Sequence, residues 1–174
     1  MHNQIEHLFS CLHDVTRGHE FWDSYLSPLS SSQPLPFRVH LAVFVEPYLQ
    51  FVLDGLKTIE SRFSIRRFAP YNQVDIGDVV LLKKSSGPIV GICYVSHVWF
   101  YQLDPESWVF IQKNFAQALC AQDPSFWKDR EHASYATLMR VRHVLGINPF
   151  SYKKRDRRGW VVLSTPTQQL ELTV

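Results

Sequence analysis

The 174-residue sequence predicts an α+β domain, a small mixed β-barrel with inserted helices and an N-terminal helical extension. Three observations lead there. Short apolar runs bounded by turn residues recur six times after residue 38. Two of them, Val79-Val80-Leu81-Leu82 and Val161-Val162-Leu163, are apolar on both strand faces, which suits the wall of a closed or nearly closed barrel better than a half-solvated sheet. Helical spacing is confined to the first 26 residues and to insertions after the first strand and between the fourth and fifth.

The elements follow in chain order. From Gln4 to Leu26 the spacing of Ile5, Leu8, Phe9, Leu12 and Val15, then of Phe21, Trp22, Tyr25 and Leu26, predicts one or two helices. Their apolar stripe needs a covering surface, either the main domain or a second copy of the chain. Ser27 to Pro36 holds three prolines and four serines, which resist helix and ladder alike. The division is therefore a helical extension over residues 1–26, a Pro/Ser-rich linker over 27–37 and the barrel domain over 38–174. Strands are expected over residues 39–46, 58–64, 78–84, 89–100, 136–147 and 159–164. Pro47 opens a short helix running Tyr48 to Asp54, with Glu46 as its cap and Gly55 as its end. Asp104-Pro105 starts a longer helix with Trp108, Ile111, Phe115 and Leu119 as its buried stripe, and Asp123-Pro124 starts a shorter one through Phe126 and Trp127.

Composition narrows the function classes. At 45% hydrophobic and 20% charged residues the chain folds around a core. No stretch approaches the roughly 20 apolar residues of a membrane span, and Met1 to Cys11 is polar where a signal peptide would be apolar. The expectation is an intracellular protein, cytoplasmic or nuclear, with no membrane partner. Cys11, Cys93 and Cys120 are far apart and unpaired in spacing, so they are read as buried thiols. No metal-ligand spacing, nucleophile elbow, dinucleotide fingerprint or phosphate loop occurs, so no metal and no cofactor is expected. Charge is unevenly placed: two arginines against four carboxylates leave −2 over residues 1–38, and the rest carries +4. Much of that excess lies in Lys153-Lys154-Arg155-Asp156-Arg157-Arg158 and in Arg62, Arg66 and Arg67. Such patches fit either a phosphate-bearing partner or a solvated loop. Aromatic residues interleave with them, as single-stranded nucleic acid demands.

The most informative window runs from Asp54 to Phe63. A strand period of two puts Thr58, Glu60 and Arg62 on one face and Ile59, Ser61 and Phe63 on the other. Lys57, just beyond a helix C-terminus, can swing its stem over the first of these faces. A lysine, a carboxylate and an arginine so placed can bind phosphate, grip the edge of a base or run acid/base chemistry; they can equally form a polar ladder on an exposed strand.

Gly55-x-Lys57-x-x-Glu60-x-Arg62, following a strand and short helix and followed by Gly77-Asp78-Val79, resembles the signature of the ASCH family of the PUA-like superfamily. The likeness spans about residues 39–164, and Lys154 to Trp160 is similar to one subgroup. It implies a five- or six-stranded pseudo-barrel whose cleft beside the first barrel helix binds RNA or a nucleoside. Lys57, Thr58, Glu60 and Arg62 would then contact the ligand, with Tyr48 and Tyr135 in reach. Arg66, Arg67, Lys153, Lys154, Arg155, Arg157 and Arg158 would hold a nucleic-acid backbone. On this reading the protein is a module for single-stranded RNA or a modified nucleobase. The resemblance also implies an alternative, since some family members hydrolyse N4-acylated cytidine and a ribonuclease activity is described. Lys57 and Glu60 would be catalytic in that case, although Glu60 stands where the hydrolases have threonine. A third reading is a protein-interaction module, with a partner or a second copy on the N-terminal helix.

Overall fold

The apolar runs after residue 38 pair into one six-stranded sheet. The computed structural model describes residues 2–31, 34–154 and 157–166. The strands are β1 (Val39–Phe44), β2 (Ile59–Ser64), β3 (Val79–Lys84), β4 (Ile89–Gln102), β5 (Tyr135–Phe150) and β6 (Trp160–Ser164), ordered β2-β5-β4-β3-β1-β6. β1 and β3 run parallel; the other neighbours are antiparallel. Among the described residues β2 ladders only to β5 and β6 only to β1, so the curled sheet is a half-barrel with a seam between its two edges. β4 and β5 continue past the ends that side-chain alternation marks, because the ladder persists where exposed residues interrupt the pattern. The register shift between them at Val95/His97 leaves His97 exposed.

Two helices at the N-terminus, α1 (His2–Thr16) and α2 (Trp22–Tyr25), cover one face of β1, β3 and β4. Leu8, Leu12, Trp22 and Leu26 are buried with Val39, Leu41, Val79, Leu81, Ile89 and Ile92 in one core cluster. Among the described residues the buried part of the stripe is thus covered by the chain's own strands. Two hydrogen bonds fix the arrangement: Trp22 Nε1 donates to His143 O at 2.7 Å, and Tyr25 Oη to Gly77 O at 2.5 Å. The Pro/Ser-rich segment departs from expectation. Ser27–Ser30 forms a turn of 3₁₀ helix, and Leu29 and Leu35 pack on the same core. The leucines between the prolines hold it down.

Three helices complete the fold. α3 (Tyr48–Leu53) follows β1; its N-cap is Pro47, while the Glu46 carboxylate accepts from the Gln50 N–H at 3.2 Å. α4 (Pro105–Phe115) starts at Asp104 in a reciprocal cap with Ser107, and α5 (Pro124–Lys128) starts at Asp123, whose side chain accepts from the Ser125 N–H. Ile111, Leu119 and Phe126 bury with Ile59, Ala136 and Leu138, which seats α4 and α5 against β2 and β5. Among the described residues no helix is long and apolar enough to cross a membrane.

Candidate functional site

β2 is an edge strand, so side chains on its concave face look across the seam toward β1 and β6. Gly55, at φ +73°, ends α3 in the left-handed region that glycine enters without strain. The chain then turns, the Lys57 N–H bonds Phe51 O at 2.9 Å, and the Lys57 side chain reaches back to the start of β2. There Nζ donates to Ile59 O at 2.6 Å and lies 3.2 Å from Glu60 Oε2. Glu60 Oε1 in turn lies 2.9 Å from Arg62 Nε. That N–H is not aimed along the contact, which is therefore an ion pair without hydrogen-bond geometry.

The three residues form a row of alternating charge, with Lys57 only 3% and Glu60 6% exposed. Removing an ion from water costs several kcal/mol unless a partner compensates it. Here each carboxylate oxygen faces its own cation. Desolvation holds the Lys57 pKa below its ordinary 10.5, and the Glu60 charge opposes that shift. The ammonium yields its proton more readily than an exposed lysine would. Below the row the barrel interior is apolar, and burial, with the Glu60 charge adding to it, pushes the Cys93 thiol far up and leaves it inert. Cys11 and Cys120, expected to be buried, are half-exposed.

Arg62 also closes the seam. Its guanidinium donates to Val43 O at 3.1 Å and to Gly159 O at 3.3 Å, and lies 5.1 Å from the Phe44 ring centre and 5.3 Å from that of Trp160. Trp160 is itself held from beneath. Its Nε1–H donates to His40 Nδ1 at 3.1 Å, and an indole nitrogen can only donate, so His40 carries its hydrogen on Nε2 and gives it to Asp78 Oδ2 at 2.9 Å. Asp78 further accepts from the Arg38 and Asp75 N–H groups. Trp160→Phe keeps an aromatic ring, though a smaller one, and removes that N–H, leaving Nδ1 of a fully buried His40 unsatisfied. The expected loss is about 1–3 kcal/mol in urea unfolding, and no loss would show that water replaces the indole.

The row forms the floor of a recess of about 220 Å³ at the seam, walled by Tyr48, Phe63, Phe126 and Arg130. Of the residues singled out in the sequence, it gathers Lys57, Glu60, Arg62 and Tyr48. Thr58 does not join them. It precedes the first ladder residue, Ile59, so the strand period does not govern it; its backbone bonds Ala118 and Val141 while its side chain is exposed. Tyr135 is also elsewhere, opposite Ser64 at the far end of β2, about 13 Å along the strand from Glu60. It packs on Tyr71 beneath the Arg67 guanidinium. Arg66 and Arg67 are exposed on that same flank. Lys153 and Lys154 line a neighbouring hollow of about 590 Å³ with Lys83; Val43 borders both spaces. Arg157 and Arg158 are exposed just before Gly159, and Arg155 lies outside the described residues.

Sequence reasoning misses Ser61, Phe63, Phe126 and Arg130 as lining residues. Ser61 and Phe63 have the opposite parity to Glu60, but the recess wraps around a free strand edge and takes both faces. Arg130, whose guanidinium sits 3.8 Å from the Phe126 ring centre and donates to Phe126 O, follows α5 as cations often follow helix ends. That local signal says nothing of α5 lying over β2. Among the described residues no three His, Cys, Asp or Glu side chains gather as a metal site would require.

By sequence the chain matches no protein-family model and no curated protein. By structure it is similar to ASCH from Zymomonas mobilis, with a TM-score of 0.58 and 12% identity over 72% of this chain and 87% of that one. Structures of a serine-to-alanine and a tyrosine-to-phenylalanine variant of that protein give TM-scores of 0.59 and 0.57, again at 12% identity, covering 72% of this chain and 88% and 90% of theirs. The fold is therefore ASCH-like, a PUA-like half-barrel.

Proposed function

We propose, from an ASCH-like fold whose seam carries a buried Lys57–Glu60–Arg62 row under a small aromatic recess, that this protein binds one nucleobase, presented by single-stranded RNA or by a free modified nucleoside. The recess carries the reading. At about 220 Å³ it is smaller than the roughly 300–1,000 Å³ of drug-sized pockets, so it suits one planar ring rather than a strand. Tyr48, Phe63 and Phe126 offer faces or edges for stacking. A carboxylate has about four lone-pair sites, and Glu60 spends two on its cations, which leaves it able to accept from an exocyclic amine. Lys153 and Lys154, which line the hollow that shares Val43 with the recess, and the exposed Arg157 and Arg158 would take the phosphate backbone, with Arg66 and Arg67 as a second flank.

The test is titration of single-stranded RNA at rising salt. Neutralising Arg157 and Arg158 should flatten the slope of log affinity against log salt by about one unit for each phosphate that is no longer paired with a cation. Lys57→Met should weaken binding by about 1–3 kcal/mol with the slope unchanged, since it removes a group that recognises the base. Affinity independent of salt and of Lys57 would overturn the proposal. One observation favours a second reading in the same recess: Lys57 is desolvated and loses its proton readily, as a base or nucleophile must. On that reading Lys57→Met abolishes release of acetate from N4-acetylcytidine while affinity for the nucleoside is nearly kept.

A further inference from the structure

We infer that the corner between Trp108 and Trp127 is a second base subsite, which stacks the nucleobase adjoining the one in the Lys57 recess; this rests on the nucleobase reading of that recess. The two indoles come from α4 and α5, stand 6.0 Å apart between ring centres with planes at 80°, and open on a hollow of about 320 Å³ rimmed by Gln112, Lys128 and Glu131. A planar ligand lying flat on one indole meets the other edge-on, the two arrangements that aromatic pairs favour. Trp127 is anchored: its Nε1 donates to Ala121 O at 2.9 Å, and its ring packs on the core of α4, α5 and β2. Trp108 is only half-buried, and its Nε1 has no hydrogen-bond partner among the described residues.

The corner adjoins the Lys57 recess across a shared aromatic wall. Phe63 lines the recess and stacks on Trp108 at 5.4 Å and 7°, while Phe126, also in the recess wall, meets Trp127 edge-on at 5.0 Å. Two rings in contact, Phe63 then Trp108 or Phe126 then Trp127, stand between the two spaces, so the two bases are splayed apart around them, as unstacked single-stranded bases can be. The rim supports the same occupant. Gln112 and Glu131 offer a donor and acceptors to a base edge, and the Lys128 ammonium suits the intervening phosphate.

The experiment compares affinities for the sixteen ribodinucleoside monophosphates, for the four nucleosides and for dinucleotides in which one base is replaced by an abasic ribose, with tryptophan fluorescence as a second readout. At least one dinucleotide should bind tenfold or more tightly than its abasic counterpart and quench indole emission. Trp108→Ala should erase that advantage and leave nucleoside affinity unchanged, whereas Lys57→Met should weaken nucleoside and dinucleotide alike. Trp127→Ala should act as Trp108→Ala does, and if it fails to fold, Trp108→Ala carries the test, because that ring stands outside the core. Nucleoside binding without any gain from a second base overturns the subsite and leaves the first recess standing. No binding of nucleoside or dinucleotide overturns both.

Discussion

Glu60→Gln is expected to lower the unfolding free energy by about 3–5 kcal/mol near neutral pH, the usual cost of removing one partner from a buried ion pair. The substitution leaves the size of the side chain intact, so the loss reports charge. Lys57, 3% exposed, keeps its desolvation penalty but loses the attraction that offsets it, and its pKa falls further below 10.5. A lysine whose folded pKa is depressed binds fewer protons folded than unfolded between the folded value and 10.5, so stability rises with pH across that window. The gap between wild type and Glu60→Gln should therefore narrow as pH climbs from about 7 toward about 10. Urea unfolding at several pH values measures it. A deficit that stays constant with pH would mean that Lys57 is not the group left uncompensated.

Trp22→Ala should cost about 3–5 kcal/mol, in the range of large aromatic truncations in a core. Trp22 is fully buried, packs edge-on to Phe21 and Tyr25, and donates to the carbonyl of His143, whose backbone sits at φ +49°. The substitution opens a cavity between α2 and the sheet and strands that carbonyl. The urea midpoint should fall with the slope m unchanged, since the chain still unfolds as one unit. A loss below about 1 kcal/mol, small for any core truncation, would show that the helices rest on the barrel without being part of its core.

Local periodicity carries the central site well. The alternation of Ile59 to Phe63 against the turn at Gly55 locates Lys57, Glu60 and Arg62, because all three depend only on a helix end and a strand phase set within a few residues. Thr58 falls among them only when parity is extended one position beyond the ladder. Tyr135, Phe126 and Arg130 depend on how β5 and α5 lie against β2, more than sixty residues away in sequence, and no local pattern encodes that packing. The N-terminal helices show the same boundary. Their apolar stripe announces a covering surface without saying whose, and it is Leu41, Leu81 and Ile92 of the same chain that cover it. The Pro36 neighbourhood reads as a linker on its prolines and serines alone; Leu29 and Leu35, which pack on the core, outweigh them.

Arg62 joins three parts of the chain that are distant in sequence: Glu60 on its own strand, Val43 on β1, and Gly159 at the end of the basic loop. One consequence concerns how such a protein can change over generations. A Cβ at position 159 would meet Arg62 Nη1 at 3.3 Å, so a side chain there shifts the guanidinium by a few tenths of an ångström and with it the group that faces one oxygen of Glu60. Drift in the loop and drift in the pocket are then not independent. Paralogues that acquire a different ligand should exchange residues 62 and 159 together more often than either alone.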